Sequence, residues 1–331
     1  TRRGSHLSCG AKKHKGGKVM VRKFMSMALT AAMVLSMAAT PVFAEDTASD
    51  EGFNLNLCIA SEPKTIDPAL NSAVDGAIMC NHMFEGLAKW VNDGEGNAVT
   101  APGQAESWEK AENEDGTVTY TVKLRDGIKW SDGQAVTAGD FVYAWQRLAN
   151  PETAADYCYM SDMVKGYDAV ADGSADPSTL GITAVDDQTL QIDLTYDCPY
   201  FEEIMAFPAT FPVRQDMVES SDNWTFDPST YIGNGPYKMT EWSHNAYISM
   251  EKNENYYDYE NLGPDTIKFT LLDDNNAMLK GYNNGELDFI ENLPVDEIPT
   301  YLASGELEIG DSLGTYYICI NPEEEALSDH Y

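Results

Sequence analysis

The sequence predicts an α/β protein with mixed sheets, on three observations. Short stretches alternate apolar and polar residues with a period of two, as half-buried strands do. Other stretches repeat apolar residues every three or four positions between capping and stop signals, as amphipathic helices do. The two patterns interleave along the chain with no internal repeat, which favours α/β lobes over a solenoid.

Taken in order, residues 53–60 alternate as a strand, and residues 74–87 read as a helix ending near Gly86. Asn113-Glu114-Asp115-Gly116 supplies hairpin-turn chemistry ahead of a strand over 117–124. Trp130-Ser131-Asp132-Gly133 is a second turn that carries a large aromatic. Thr137 then stands where an N-cap belongs, with Asp140 placed to face the positive end of a helix. Phe141, Ala144, Trp145 and Leu148 recur at helical spacing, and Asn150-Pro151 ends the run. Residues 161–171 read as a further helix, 189–194 as a strand and 200–207 as a short aromatic helix before Pro208 and Pro212. Strands follow at 247–252, 266–272 and 287–290. A helix over 276–282 is stopped by Asn283-Asn284-Gly285. The six tryptophans suit a core better than a cleft.

The first 44 of the 331 residues hold eight Lys or Arg and no acid. From Met20 the chain has the form of a secretory signal: Arg22-Lys23, an apolar run over 24–39, then Val42-Phe43-Ala44 as a cleavage site before Glu45. The run is short for a membrane span and is followed by a small, acidic segment. Export is therefore expected, to the periplasm or the outer face of the cell envelope, with residues 20–44 removed. Residues 1–19 precede a complete signal, and Lys15-Gly16-Gly17-Lys18 is what a purine-rich ribosome-binding site would encode. These residues are expected to be translated upstream DNA. Beyond residue 44, 13 basic groups face all 54 acids, a formal charge of −41 over 287 residues. Such a field repels nucleic acid and anionic membrane and favours solubility. The acids are spread along the chain, so they read as a solvated surface rather than a tail.

Catalytic signatures are absent. His82, His244 and His330 lie far apart without an H-E-x-x-H pattern, and there is no G-x-S-x-G elbow and no Walker or dinucleotide glycine pattern. Beyond residue 44, Cys58, Cys80, Cys158, Cys198 and Cys319 are odd in number and widely spaced, which allows at most two disulfides and gives no metal spacing. Asp93-Gly94-Glu95-Gly96-Asn97 has the look of a calcium loop, but Ala98 stands where the loop needs glycine, so a plain turn is the better reading. No cofactor, metal or enzymatic activity is expected. The rival from another class is a secreted hydrolase using paired carboxylates.

One stretch exceeds what pattern alone requires. Residues 124–148, LRDGIKWSDGQAVTAGDFVYAWQRL, resemble the signature region of the extracellular solute-binding proteins of peptide ABC importers. Further landmarks follow in that family's order: Glu62-Pro63-Lys64-Thr65-Ile66-Asp67-Pro68, Phe84-Glu85-Gly86-Leu87, Ala105-Glu106-Ser107-Trp108, Asn234-Gly235-Pro236-Tyr237-Lys238, Glu241-Trp242, Lys252-Asn253 before Tyr256-Tyr257, and Gly285-Glu286-Leu287-Asp288. The resemblance spans about residues 57–320 and leans, through Gln146-Arg147-Leu148-Ala149-Asn150-Pro151-Glu152-Thr153-Ala154, to the oligopeptide-binding branch.

It implies a periplasmic-binding-protein type architecture of two lobes with mixed sheets. Residues 45–87 and 215–312 would form a discontinuous first lobe, and 88–214 an inserted subdomain. Residues 313–331 would be a hinge strand and the start of a second lobe that is otherwise missing. It also implies a monomer that binds an oligopeptide by strand-like main-chain pairing and hands it to the permease subunits of an ABC importer. Within the same fold the ligand could instead be a dipeptide, a nickel complex, haem or an oligosaccharide, or the protein could be a signalling-peptide receptor. Three places match ligand-lining positions of the family. Ser72-Ala73-Val74 would pair through main chain, with Ser72 departing from the Glu found in the best-known relatives. Tyr157 would line the cleft from the inserted subdomain, and Asn292 would do so from the loop after residues 285–288.

Overall fold

The computed structural model describes residues 5–10, 52–311, 315, 317 and 318. The expected signal peptide over 20–44 and most of the expected hinge strand lie outside the described residues.

Two four-stranded sheets organise the chain. The first has the order Asn54–Ile59, Thr266–Leu271, Tyr247–Lys252, Tyr237–Ser243. Its first pair is parallel, in register from Thr266 opposite Asn54 to Leu271 opposite Ile59, and the rest is antiparallel. It is therefore a mixed sheet, and it joins segments more than 200 residues apart in the sequence. The second sheet is wholly antiparallel and lies within a continuous stretch: Ala105–Glu112, Val118–Leu124, Thr189–Leu194, Ile182–Asp186. Val118, Tyr120, Val122 and Leu124 of this sheet are buried, as their alternation requires. Ala88–Asn92 and Ala98–Pro102 form a separate hairpin. Its turn is closed by Asp93, whose carboxylate accepts the Glu95 and Asn97 N–H groups at 2.7 and 3.0 Å. Phe289–Ile290 and Leu307–Asp311 flank strand Ser5–Gly10 in a third, smaller sheet.

Helix Ala138–Ala149 forms where its periodicity places it, with Phe141, Ala144, Trp145 and Leu148 all buried. The Asp140 carboxylate accepts the Thr137 N–H at 2.8 Å and sits at the helix's positive end. Asn275–Asn284 is likewise helical, capped by Asp274 through the Ala277 N–H at 2.7 Å and ended by Gly285 at φ 75°.

Three helices are shorter than the sequence expectation, and the one expected over 200–207 is only Phe201–Ile204. Val74–Met83 ends four residues before residue 87, because the Met83 carbonyl turns to accept the Gly235 N–H at 3.0 Å and Phe84 is extended. The Asn234 side chain then accepts the Glu85 N–H at 3.1 Å and donates to the Glu85 carbonyl at 2.9 Å. A Cβ on Gly86 would stand 2.4 Å from the Met205 carbonyl, so glycine is there for close backbone approach rather than as a helix stop. The expected helix over 161–171 is only Tyr167–Ala171. Gly166 at φ 86° breaks it, and Lys165 spends its N–H and carbonyl on Asp193 and Gly181 at 2.8 and 2.7 Å.

One large apolar core runs beneath both four-stranded sheets, with Trp130 and Trp145 fully buried in it. Trp90, by contrast, is exposed. Cys58, Cys80, Cys158 and Cys198 are free thiols.

Candidate functional site

The loop between strand Asn54–Ile59 and helix Val74–Met83 is fixed from beneath by a buried ion pair. Arg147, on helix Ala138–Ala149, donates to both oxygens of Asp67 at 2.8 and 2.6 Å. The Asp67 carboxylate also accepts the Ala69 N–H at 3.0 Å and the Trp224 indole N–H at 3.3 Å. The motif residues Asp67 and Arg147 thus meet 80 positions apart, and the loop's path follows from their contact.

Above this anchor the loop opens onto a cavity of about 280 Å³. Ser72, Ala73 and Val74 form one wall, with Tyr157 and Phe207 opposite. The Tyr157 ring stands perpendicular to Phe207 at 5.1 Å and meets Tyr159 edge-on at 6.0 Å. The Ser72 hydroxyl donates to Asp156 at 2.7 Å, joining the loop to the segment that carries Tyr157. Val74 is 72% exposed although it heads a helix, so an apolar side chain and a helix N-terminus face the opening together. A larger cleft of about 660 Å³ lies beside Tyr143, Gln146 and Gln215, and none of the sequence-predicted residues lines it.

Four of the five predicted residues therefore share one cavity. The fifth, Asn292, is exposed in the loop after Phe289–Ile290 and does not line it. Sequence reasoning missed Asn71, Asn81 and Phe207, which also line the cavity. Phe207 carried a usable signal, as an aromatic immediately before Pro208 at the end of a helical run. Asn71 carried none.

The neighbouring polar network is structural. Glu85, nearly buried, accepts from Tyr256 at 2.5 Å and from Gln104 at 2.8 Å, and Lys89 stands 3.4 Å away. Burial, and then the Glu85 charge, pushes the Tyr256 phenol far up, so it remains a donor. Burial followed by Glu291 pushes the Cys58 thiol up to about 11, and burial also raises Cys80 and Cys198, so none of these three is activated as a nucleophile. The cavity offers main-chain groups, aromatic faces and the carboxamides of Asn71 and Asn81.

Residues 100–330 match the family model of the bacterial extracellular solute-binding proteins, family 5 middle. The oligopeptide-binding protein OppA of Bacillus subtilis is 34% identical over 281 residues, covering 83% of this chain and 50% of that protein. The structure of the murein tripeptide binding protein MppA of Escherichia coli superposes with a TM-score of 0.71 at 34% identity, over 76% of this chain and 48% of that one. Haemophilus influenzae OppA in complex with RPPGFSPFR gives 0.71 at 30% identity, over 77% and 49%. The chain spans about half the length of the curated relatives it matches.

Proposed function

Since the chain belongs to the bacterial extracellular solute-binding proteins of family 5, we propose that the protein to which it contributes binds oligopeptides outside the cell and delivers them to the permease of an ABC importer. The supporting observation is the convergence of Ser72, Ala73 and Val74 with Tyr157 on one cavity, from segments more than 80 residues apart. An extended ligand needs an edge of main-chain groups beside apolar walls, and this cavity has both. Peptide side chains would then project past Val74 and the Tyr157 and Phe207 rings, where generic apolar contact tolerates variation.

The division of labour follows the sheets. Residues 45–87 and 215–312 act as the first lobe and residues 88–214 as the inserted subdomain. A second lobe beyond residue 313 closes over the cavity, excludes water and presents the closed shape to the permease. Asn292, outside the cavity of this lobe, meets ligand only in that closed form. The protein is exported, works as a monomer and performs no covalent chemistry.

Isothermal titration of the full-length protein with a mixed tri- to pentapeptide pool tests this. Micromolar or tighter binding, with no hydrolysis of the recovered peptides, is the expected result. An absence of binding, or cleavage of the pool, would refute it.

A further inference from the structure

The inner edge of the cavity wall is not held by another strand. Ala73 is extended, at φ −119° and ψ 151°. Its N–H and carbonyl therefore point to one side, while the Ser72 carbonyl and the Val74 N–H point to the other. On the inner side both Ala73 groups meet the Asn71 side chain, and the Ala73 carbonyl also accepts the Ala77 N–H at 3.0 Å, the first bond of helix Val74–Met83. Asn71 accepts the Ala73 N–H at 3.3 Å through Oδ1 and donates to the Ala73 carbonyl at 2.9 Å through Nδ2. Asn71 is 6% exposed, so water does not compete for these bonds. On the outer side, the Ser72 carbonyl and Val74 N–H have no partner among the described residues.

The side chain of Asn71 is itself fixed. Its backbone N–H donates to the Asp67 carbonyl at 2.9 Å, above the Arg147 ion pair. Gly76, in the first turn of helix Val74–Met83, leaves room for it: a Cβ there would stand 2.0 Å from Asn71 Oδ1 and 2.5 Å from the Thr65 carbonyl. Glycine inside a helix is ordinarily unfavourable, and here the space it leaves is filled by the amide.

We infer that Asn71 is a positioning residue of the peptide site, acting as a one-residue substitute for a neighbouring strand. By holding the Ala73 N–H, and sharing the Ala73 carbonyl with the Ala77 N–H, its carboxamide turns the Ser72 carbonyl and Val74 N–H toward the cavity, spaced to pair with the N–H and carbonyl of one residue of an extended peptide. The main-chain groups of Ala73, which the sequence resemblance assigned to the ligand along with those of its neighbours, are already spent on Asn71 and, for the carbonyl, on the Ala77 N–H as well. Only the flanking pair is left to bind.

This inference rests on the peptide-binding reading, and the test separates the two. Affinity for tetra-alanine and for its three singly N-methylated forms is measured by calorimetry on the full-length protein, its Asn71→Ala variant and its Gly76→Ala variant. Gly76→Ala displaces the amide without deleting it. The melting temperature of each empty protein is recorded alongside. In the wild type one N-methyl position costs about tenfold in affinity, the loss of one main-chain hydrogen bond. In both variants affinity for the unmodified peptide falls about tenfold, and the penalty at that position shrinks to within about twofold. A role in stability alone would lower the melting temperature and leave the N-methyl penalty intact. The full penalty retained in either folded variant overturns the inference. Since the two variants disturb the contact by different routes, failure of one to fold leaves the other to decide. A wild type that binds neither tetra-alanine nor the mixed pool refutes the functional reading instead.

Discussion

Replacing Arg147 by Met keeps most of the side-chain volume on helix Ala138–Ala149 and deletes the guanidinium that holds Asp67. The two side chains are 13% and 3% exposed, so the pair is removed from water and little screened by it. Truncating one member of such a pair costs about 3–5 kcal/mol, because the other charge is left buried without its partner. Asp67 would keep the Ala69 N–H at 3.0 Å and the Trp224 indole at 3.3 Å, which places the cost at the lower end, about 3 kcal/mol. Urea titration followed by circular dichroism reads this as a lower midpoint at unchanged slope. The cycle with Asp67→Asn sharpens it: the double variant should be more stable than the sum of the two losses predicts, by at least about 1.5 kcal/mol. Peptide affinity should fall as well, since Asp67 also carries the Asn71 turn through its carbonyl. A loss under about 1 kcal/mol for Arg147→Met, or additive losses in the cycle, would refute the claim that this pair anchors the loop.

Trp145→Ala should cost about 3–5 kcal/mol of stability, from the cavity left by a fully buried ring and the loss of its 3.1 Å bond to the Thr210 carbonyl. Tyr157→Ala should leave the empty protein's melting temperature nearly unchanged and weaken peptide binding by about 1–2 kcal/mol, similarly for peptides of different sequence. If it destabilises the empty protein as much as Trp145→Ala does, Tyr157 belongs to the core. His82 is held below its ordinary value of 6.5 by burial, its 2.7 Å contact with the Ile78 carbonyl acting the other way. The folded state resists protonation there, so stability is full above about pH 6.5 and falls as pH drops through that value toward the lower folded one. His82→Gln should flatten the curve over that window, and a curve as steep as wild type would count against it. Mass spectrometry of the exported protein should find Glu45 at its N-terminus, and a fatty-acylated cysteine or a different first residue would contradict this.

Elements whose causes are local can be read from the residues alone. Helix Ala138–Ala149 is legible because its cap, its apolar stripe and its Asn150-Pro151 stop lie within 15 residues of one another. The strands at 118–124, 189–194, 247–252 and 266–271 are legible because one face of each is buried and their composition alternates accordingly. Order-specific motifs carried the family, and with it Ser72, Ala73, Val74 and Tyr157. The tertiary structure decided what depends on partners far away in the chain. It set the parallel pairing of Asn54–Ile59 with Thr266–Leu271, the shortened helix at Met83 that Gly235 terminates, and the broken helix at Gly166. It also decided which groups of the predicted loop face the cavity. Asn71 belongs to no periodic pattern, and its side chain acts only once Asp67, Arg147 and Gly76 have fixed where Ala73 runs. A hydrogen bond depends on direction as well as residue type, and that direction is set when the loop packs against helix Ala138–Ala149.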